Sequence, residues 1–137
     1  IILDNQDYGS KRTLEISSID EISKRIVTCA ANETTTVAVF NSNAYGAAGA
    51  VDIEDSKYIR VTNLDSSNAV ELAVVGAATL YQVTLAAGQS HVLGSADGLM
   101  LAEADTSPSF GTMADISSLQ VNPGSNAVSV EVFIASA

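Results

Sequence analysis

Apolar and polar residues alternate along most of the chain from residue 50 onward, which is the pattern of strands that bury one face. The clearest case is AVSVEVFIA, where Val128, Val130, Val132 and Ile134 share one side of a strand. Such segments recur at roughly 8 to 12 residue intervals, separated by runs of Gly, Asn, Asp and Ser that favour turns. The pattern predicts an all-β fold, a single antiparallel β-sandwich with a jelly-roll-like arrangement.

The predicted strands start with TTTVAVF, whose β-branched residues favour extended backbone. Eight further candidates are AVDI, YIRVTNL, NAVELAVV, TLYQVTL, SHVLG, GLMLAEA, ISSLQV and AVSVEVFIA. A short polar turn, DSSN, separates YIRVTNL from NAVELAVV, so we predict that these two strands form a hairpin. In that hairpin Arg60 is expected to pair with Glu71 or with an acid on a neighbouring subunit.

The segment over residues 19–26 has two interpretations. Ser18 and Glu21 are spaced as in a capping box, and Ile22 and Ile26 would share one helix face, which predicts one short helix. The same segment can instead form two strands, one with Leu14 and Ile16 and the other from Ile22 onward, on either side of SSIDE. The pattern alone leaves both interpretations open.

The first twelve residues combine three consecutive apolar residues, Ile1, Ile2 and Leu3, with a polar tail. Such a segment suits an arm that docks on a neighbouring subunit or on its own sheet, and equally a frayed terminus. A chain of 137 residues is long enough for one core. We therefore predict an arm over residues 1–12 and one β-sandwich domain over residues 13–137.

The charge of the chain excludes several kinds of partner. The formal net charge is −10, and the half from Val61 to Ala137 contains no Lys or Arg. Nucleic acid and anionic membrane surfaces would be repelled by such a protein, so we expect neither as a partner. No apolar stretch approaches the roughly 18 residues of a membrane span.

Residues with catalytic or metal-binding chemistry are few. His91 is the only histidine, and Ser90 beside it would point to the opposite face of a strand. Cys29 is the only cysteine, and its surroundings favour a small buried hydrophobic residue. The acids of DIEDS lack the spacing of a calcium loop and are better interpreted as a solvated turn. We predict a protein that is not an enzyme, with no catalytic residue, cofactor or metal site.

Several turn motifs resemble those of small structural proteins of tailed bacteriophages. The residues that carry the resemblance are Asn63, Asp65 and Asn68 in the first turn, Leu85, Ala87 and Gly88 in the second, and Ala104, Asp105 and Thr106 near the end. Such chains usually run from the last of these motifs directly into the closing strand. Here residues 107–126 intervene, and they could either pack on a neighbouring subunit or cap their own sandwich.

The resemblance implies a virion structural protein, most simply a capsid decoration or cement protein that bridges capsomers on the outer surface of the head. It would be made in the host cytoplasm and would bind the major capsid protein or other virion proteins, as a homo-oligomer and preferably a trimer. The alternatives are a tail, neck or fibre component and a carbohydrate-binding or adhesin module. The candidate subunit-interface residues are Ile1, Ile2, Leu3, Phe110 and Met113.

Overall fold

Eleven strands and no helix are present in the computed structural model, which describes residues 1–43, 46–104 and 106–137. The strands are β1 (Ile2–Leu3), β2 (Gln6–Asp7), β3 (Glu21–Cys29), β4 (Thr35–Asn41), β5 (Val51–Asp52), β6 (Ser56–Asn63), β7 (Val70–Gly76), β8 (Leu80–Leu85), β9 (Ser90–Leu93), β10 (Ile116–Asn122) and β11 (Val128–Ser136). Asp105, part of the third turn motif, lies outside the described residues.

Eight of these strands form a sandwich of two sheets. One sheet has the order β3-β11-β6-β9, and the other has the order β5-β4-β10-β7-β8, in which β5 is a short extra strand parallel to β4. Without β1, β2 and β5, the first of the eight strands pairs with the last, the second with the seventh, the third with the sixth and the fourth with the fifth. All of these pairs are antiparallel, so the strands form a jelly roll and the predicted fold class is confirmed.

The core lies between the two sheets and consists mainly of small and β-branched side chains. From the four-stranded sheet, β11 contributes the four residues that its alternation predicted, all of them buried. The facing sheet contributes Leu72, Val74, Leu119 and Val121, none of which has measurable exposure. Burying each such side chain contributes about 1.5–3 kcal/mol, so this packing is the main source of stability.

Of the two interpretations of residues 19–26, the short helix is wrong and the strand from Ile22 onward is confirmed, because residues 21–26 lie in β3. No strand forms at Leu14 and Ile16. All nine residues of β3 pair with β11, from Cys29 opposite Val128 to Glu21 opposite Ser136. A helix of two turns is marginal in isolation. Pairing with β11 satisfies backbone groups that would otherwise lie unpaired along one side of that central strand.

The hairpin predicted for YIRVTNL and NAVELAVV is also wrong. The strands β6 and β7 belong to different sheets, and residues 64–69 cross from one sheet to the other. A short polar connection suits a hairpin and a crossover equally well. The buried faces of β6 and β7 determine which connection forms. In the sandwich each strand packs its buried face against the opposite sheet, so the two strands lie in different sheets.

Asn63 holds this crossover together from a fully buried position. Its Nδ2 donates to the carbonyl oxygens of Asn68 at 2.8 Å, Leu85 at 3.0 Å and Ala86 at 3.2 Å, and its Oδ1 accepts from the Asp65 amide. The backbone amides of Asn68 and Ser67 in turn donate to the Asp65 carboxylate and lower its pKa. The first turn motif therefore ties the crossover to the turn that follows β8.

Two further predictions need correction. The candidate strand GLMLAEA does not form a strand, and only Met100 in it makes an isolated bridge, to Ala114. Residues 107–126 are not a separable insertion, because their second half forms β10 at the centre of the larger sheet. Ile116, Leu119 and Val121 of this strand are completely buried.

The N-terminal segment lies apart from the sandwich. Its strands β1 and β2 form a two-stranded hairpin, and Asp4 and Asn5 at its turn have φ values of 50° and 62°, as a two-residue type I′ turn requires. We call residues 1–8 the arm hairpin. Every residue from position 1 to position 18 is exposed, and the sandwich begins with β3.

We expect Asn63→Ala to destabilise the protein by about 2–4 kcal/mol, because buried carbonyl groups would lose their donor. Urea unfolding measures this change. The matched control is Asn126→Ala, since Asn126 is an exposed asparagine in another turn. A loss for Asn63→Ala no larger than for the control would contradict the role assigned to Asn63.

Candidate interaction surfaces

The outer face of the four-stranded sheet combines exposed apolar residues with a compact cluster of charges. Strand pairing places Lys24, Phe133, Arg60 and Val92 side by side in one row across all four strands. We call this surface the Phe133 face and define it by Ile22, Lys24, Ile26, Tyr58, Arg60, Val92, Glu131 and Phe133. Strand alternation turns these residues away from the facing sheet, opposite to inward residues such as Ile59, Val132 and Ile134.

Glu131 lies at the centre of the charges on this face. Lys24 Nζ is 3.2 Å from one carboxylate oxygen of Glu131, and an Arg60 guanidinium nitrogen is 2.9 Å from the other. Hydrogen bonds from Lys24 and then Arg60 lower the pKa of Glu131, so the carboxylate stays ionised. The predicted pairing of Arg60 with Glu71 is therefore wrong. One acid and two bases give the face a charge of +1 in a chain of −10.

Arg60 is held by an aromatic ring as well as by Glu131. Its guanidinium carbon lies 5.4 Å from the centroid of the Phe133 ring, within range of a cation–π contact. Tyr58 meets Phe133 edge to face, with centroids 6.0 Å apart. Arg25, the base next to Lys24, points to the other side of β3 and donates to the Val37 carbonyl. The Phe133 face therefore has a rigid centre.

Three aliphatic side chains around this centre are exposed to solvent. Ile22 and Ile26 are each 62% exposed and Val92 is 51% exposed. The sequence analysis did not identify this surface. The signal was present in β3, where Ile22, Lys24 and Ile26 alternate, but the helical interpretation of the same residues obscured it.

The residues predicted for a subunit interface lie in two separate places, all of them exposed. On the arm hairpin, Ile1, Ile2 and Leu3 are 92%, 74% and 62% exposed. In the loop before β10, Phe110 is 82% exposed and borders, with Met113, a shallow hollow of about 300 Å³. Their role in an interface stays a prediction.

His91 and Tyr81 meet at the seam between the two sheets. The Tyr81 hydroxyl is 3.1 Å from His91 Nε2, and burial raises the pKa of Tyr81 and lowers that of His91. Ser90 points to the outer face instead, where its hydroxyl lies 2.8 Å from that of Thr62. Ser90 and His91 are thus turned apart, as strand alternation predicted, and do not form a nucleophile and base pair.

Acidic side chains cluster at the turn that follows β5. A hydrogen bond with Asp52 is the largest cause of a raised pKa at Glu54, and the charge of Asp97 adds to it. Across the described ranges, no three His, Cys, Asp or Glu residues come together as metal ligands. Nor does any helix in this part of the chain have the length and apolar character needed to cross a bilayer.

Comparisons with known proteins give one distant similarity. No protein-family model matches the chain, and no curated protein matches it significantly. Among solved structures, a subunit from Bacillus endospore appendages, described as a family of disulfide-linked pili, is similar with a TM-score of 0.46 and 11% identity. The alignment covers 90% of this chain and 95% of that one. A TM-score below 0.5 does not establish a shared fold, and the function proposed below does not depend on it.

Replacing Glu131 is expected to change how stability depends on pH. A carboxyl group whose pKa is lowered in the folded state stabilises the protein above its unfolded pKa, about 4.3, and this contribution is lost as the pH falls through the folded pKa. Glu131→Gln should therefore be less stable than the wild type at neutral pH, and the two should converge below about pH 4. Urea unfolding over this range measures both. Glu71→Gln is the control. If the stability difference from the wild type disappeared at low pH for Glu71→Gln and not for Glu131→Gln, the role assigned to Glu131 would be contradicted.

Cys29 is expected to be unreactive in the native protein. It is fully buried, as predicted, and desolvation raises the pKa of its thiol, so little thiolate is accessible to a reagent. A chromogenic disulfide reagent should detect no thiol in the native protein within minutes and one thiol per chain in denaturant. Rapid reaction of the native protein would contradict the packing described for β3.

Proposed function

We propose that this chain is a non-enzymatic structural subunit of a bacteriophage particle, a decoration or cement protein bound to the outer surface of the capsid. It associates with copies of itself, with a trimer as the expected assembly, and with the major capsid protein. The turn motifs shared with small phage structural proteins support the phage setting.

The observation that carries the proposal is where the exposed apolar residues lie. Nine of the thirteen large apolar residues that are exposed in the described part of the chain belong to the arm hairpin, to the loop that contains Phe110 and Met113, and to the Phe133 face. The other four are Leu14, Ile16, Leu64 and Leu80. Exposed apolar groups of this size mark surfaces that other proteins cover. Several such surfaces on one small domain suit a subunit with more than one neighbour, as a bridge between capsomers requires.

The charge supports a position on the outside of the particle. The inner surface of a filled capsid faces DNA, and a chain with a net charge of −10 would be repelled there. On the outer surface the same charge keeps the unassembled protein soluble.

Purified particles test the proposal directly. Mass spectrometry should detect the chain in a stoichiometric amount, and purified protein should rebind, to saturation, particles that lack it. Light scattering should show that the unbound protein is an oligomer. Absence from particles, or a monomer that does not rebind, would overturn the proposal.

Phe110 is expected to contribute to capsid binding, because an aromatic side chain buried at an interface is a frequent energetic anchor. Phe110→Ser should weaken rebinding about tenfold or more in a pelleting assay, a loss on the order of 1.4 kcal/mol. The control is Leu80→Ser, which removes an exposed aliphatic side chain from β8. Equal effects of the two variants would contradict the role of Phe110.

A further inference from the structure

The arm hairpin and the Phe133 face are two exposed surfaces of one chain whose chemistry is complementary. We propose that the arm hairpin of one copy docks on the Phe133 face of a second copy, so that subunits are joined by their arms. This inference rests on the homo-oligomeric part of the proposed function and names the surface that receives the arm.

Both surfaces present exposed aliphatic residues. On the arm hairpin, alternation places Ile1 and Leu3 on one side and Ile2 on the other, and the face presents Ile22, Ile26 and Val92, all more than half exposed. Contact between the Ile1 and Leu3 side of the hairpin and the Phe133 face would remove these residues, apart from Ile2, from water. The row from Lys24 to Val92 crosses four strands, about 14 Å at the usual strand spacing, which is wide enough to receive a two-stranded hairpin.

The charges of the two surfaces are opposite. The arm hairpin contains Asp4 and Asp7 and no Lys or Arg side chain, and Asp7 lies 3.8 Å from the N-terminal ammonium group, whereas the Phe133 face has a charge of +1. The other outer face of the sandwich differs, because Glu71 is the sole charged residue of β4, β7, β8 and β10. That face would repel the hairpin, so electrostatics selects the Phe133 face.

The segment between the hairpin and the sandwich is long enough to reach a neighbour. Residues 9–20 form no strand or helix, and twelve extended residues span up to about 40 Å. The same segment could return the hairpin to its own body, where a high effective concentration would favour docking. In the single chain, however, the hairpin and the aliphatic residues of the face all stay exposed, which indicates a second copy as the partner.

Such a contact joins two different surfaces and is therefore heterologous. Each subunit donates one arm and receives another. A ring closes when the last arm reaches the first subunit, and a trimer is the smallest ring beyond a dimer. Because residues 9–20 are held by no strand or helix, they can follow the change of direction between subunits that closure requires.

Mixing variants that each carry one added cysteine tests the proposal. Leu3→Cys and Ile26→Cys place thiols on the arm hairpin and on the Phe133 face, and the wild type is the blank because Cys29 is buried. With one variant carrying a mass tag, mild oxidation of the mixture should yield a disulfide-linked heterodimer. Leu3→Cys mixed with Leu80→Cys, a position on the other sheet, is the matched control and should yield at least tenfold less.

Two results would overturn the proposal. One is equal cross-linking to Ile26→Cys and to Leu80→Cys. The other is an internal disulfide in the double variant Leu3→Cys/Ile26→Cys that forms at high dilution, where copies are separated, because the arm would then dock on its own body.

Hydrogen exchange of the wild type gives a second test that needs no variant. Amides of residues 2–7 and 22–26 should become protected together as the protein concentration rises, while residues 80–85 should not change. Absence of this paired protection in an oligomeric sample would overturn the arm contact and leave the proposed function intact. If the cross-link formed but the protein did not bind particles, the proposed function would be overturned and the arm contact would stand.

Discussion

The two-sided pairing of β11 is the constraint on which the rest of the structure depends. This strand pairs with β3 on one side and with β6 on the other, although β3 and β6 lie more than 65 residues before it in the chain. Its inward side chains, from Val128 to Ile134, are buried against the facing sheet. Because β11 is buried on one face and paired along both edges, the register of β3 and of β6 beside it is fixed.

This position of β11 also determines the chemistry of the outer surface. Because the inward residues of β11 must be apolar, Glu131 and Phe133 are placed in the middle of the opposite face, beside Lys24 and Arg60. The carboxylate neutralises one of the two bases, and the ring holds the other. A chain that is strongly acidic as a whole thus presents one small surface with a positive charge, and the acidic arm hairpin is complementary to that surface.

Local patterns predicted the strands well and their partners poorly. Alternation identified the buried residues of β11 and the opposite directions of Ser90 and His91. The predicted partner of Arg60 shows where alternation failed. Glu71 is near Arg60 in the sequence, but the acid that lies beside it in the structure is Glu131. Contacts distant in the sequence also explain two other errors. The expected hairpin of β6 and β7 is a crossover between sheets, and β10, which lies in the apparent insertion, is the central strand of its sheet.

The sequence by itself determined the all-β class, the jelly-roll-like sandwich and the burial of Cys29, because alternation and turn residues act over a few neighbouring positions. Tertiary structure alone decided that residues 21–26 extend as part of β3 and that Lys24, Arg60, Glu131 and Phe133 form one face. Those outcomes depend on contacts between strands distant in the chain. The free energy that favours these outcomes comes from burial and strand pairing across the sandwich, and the local propensity of a residue does not include either contribution.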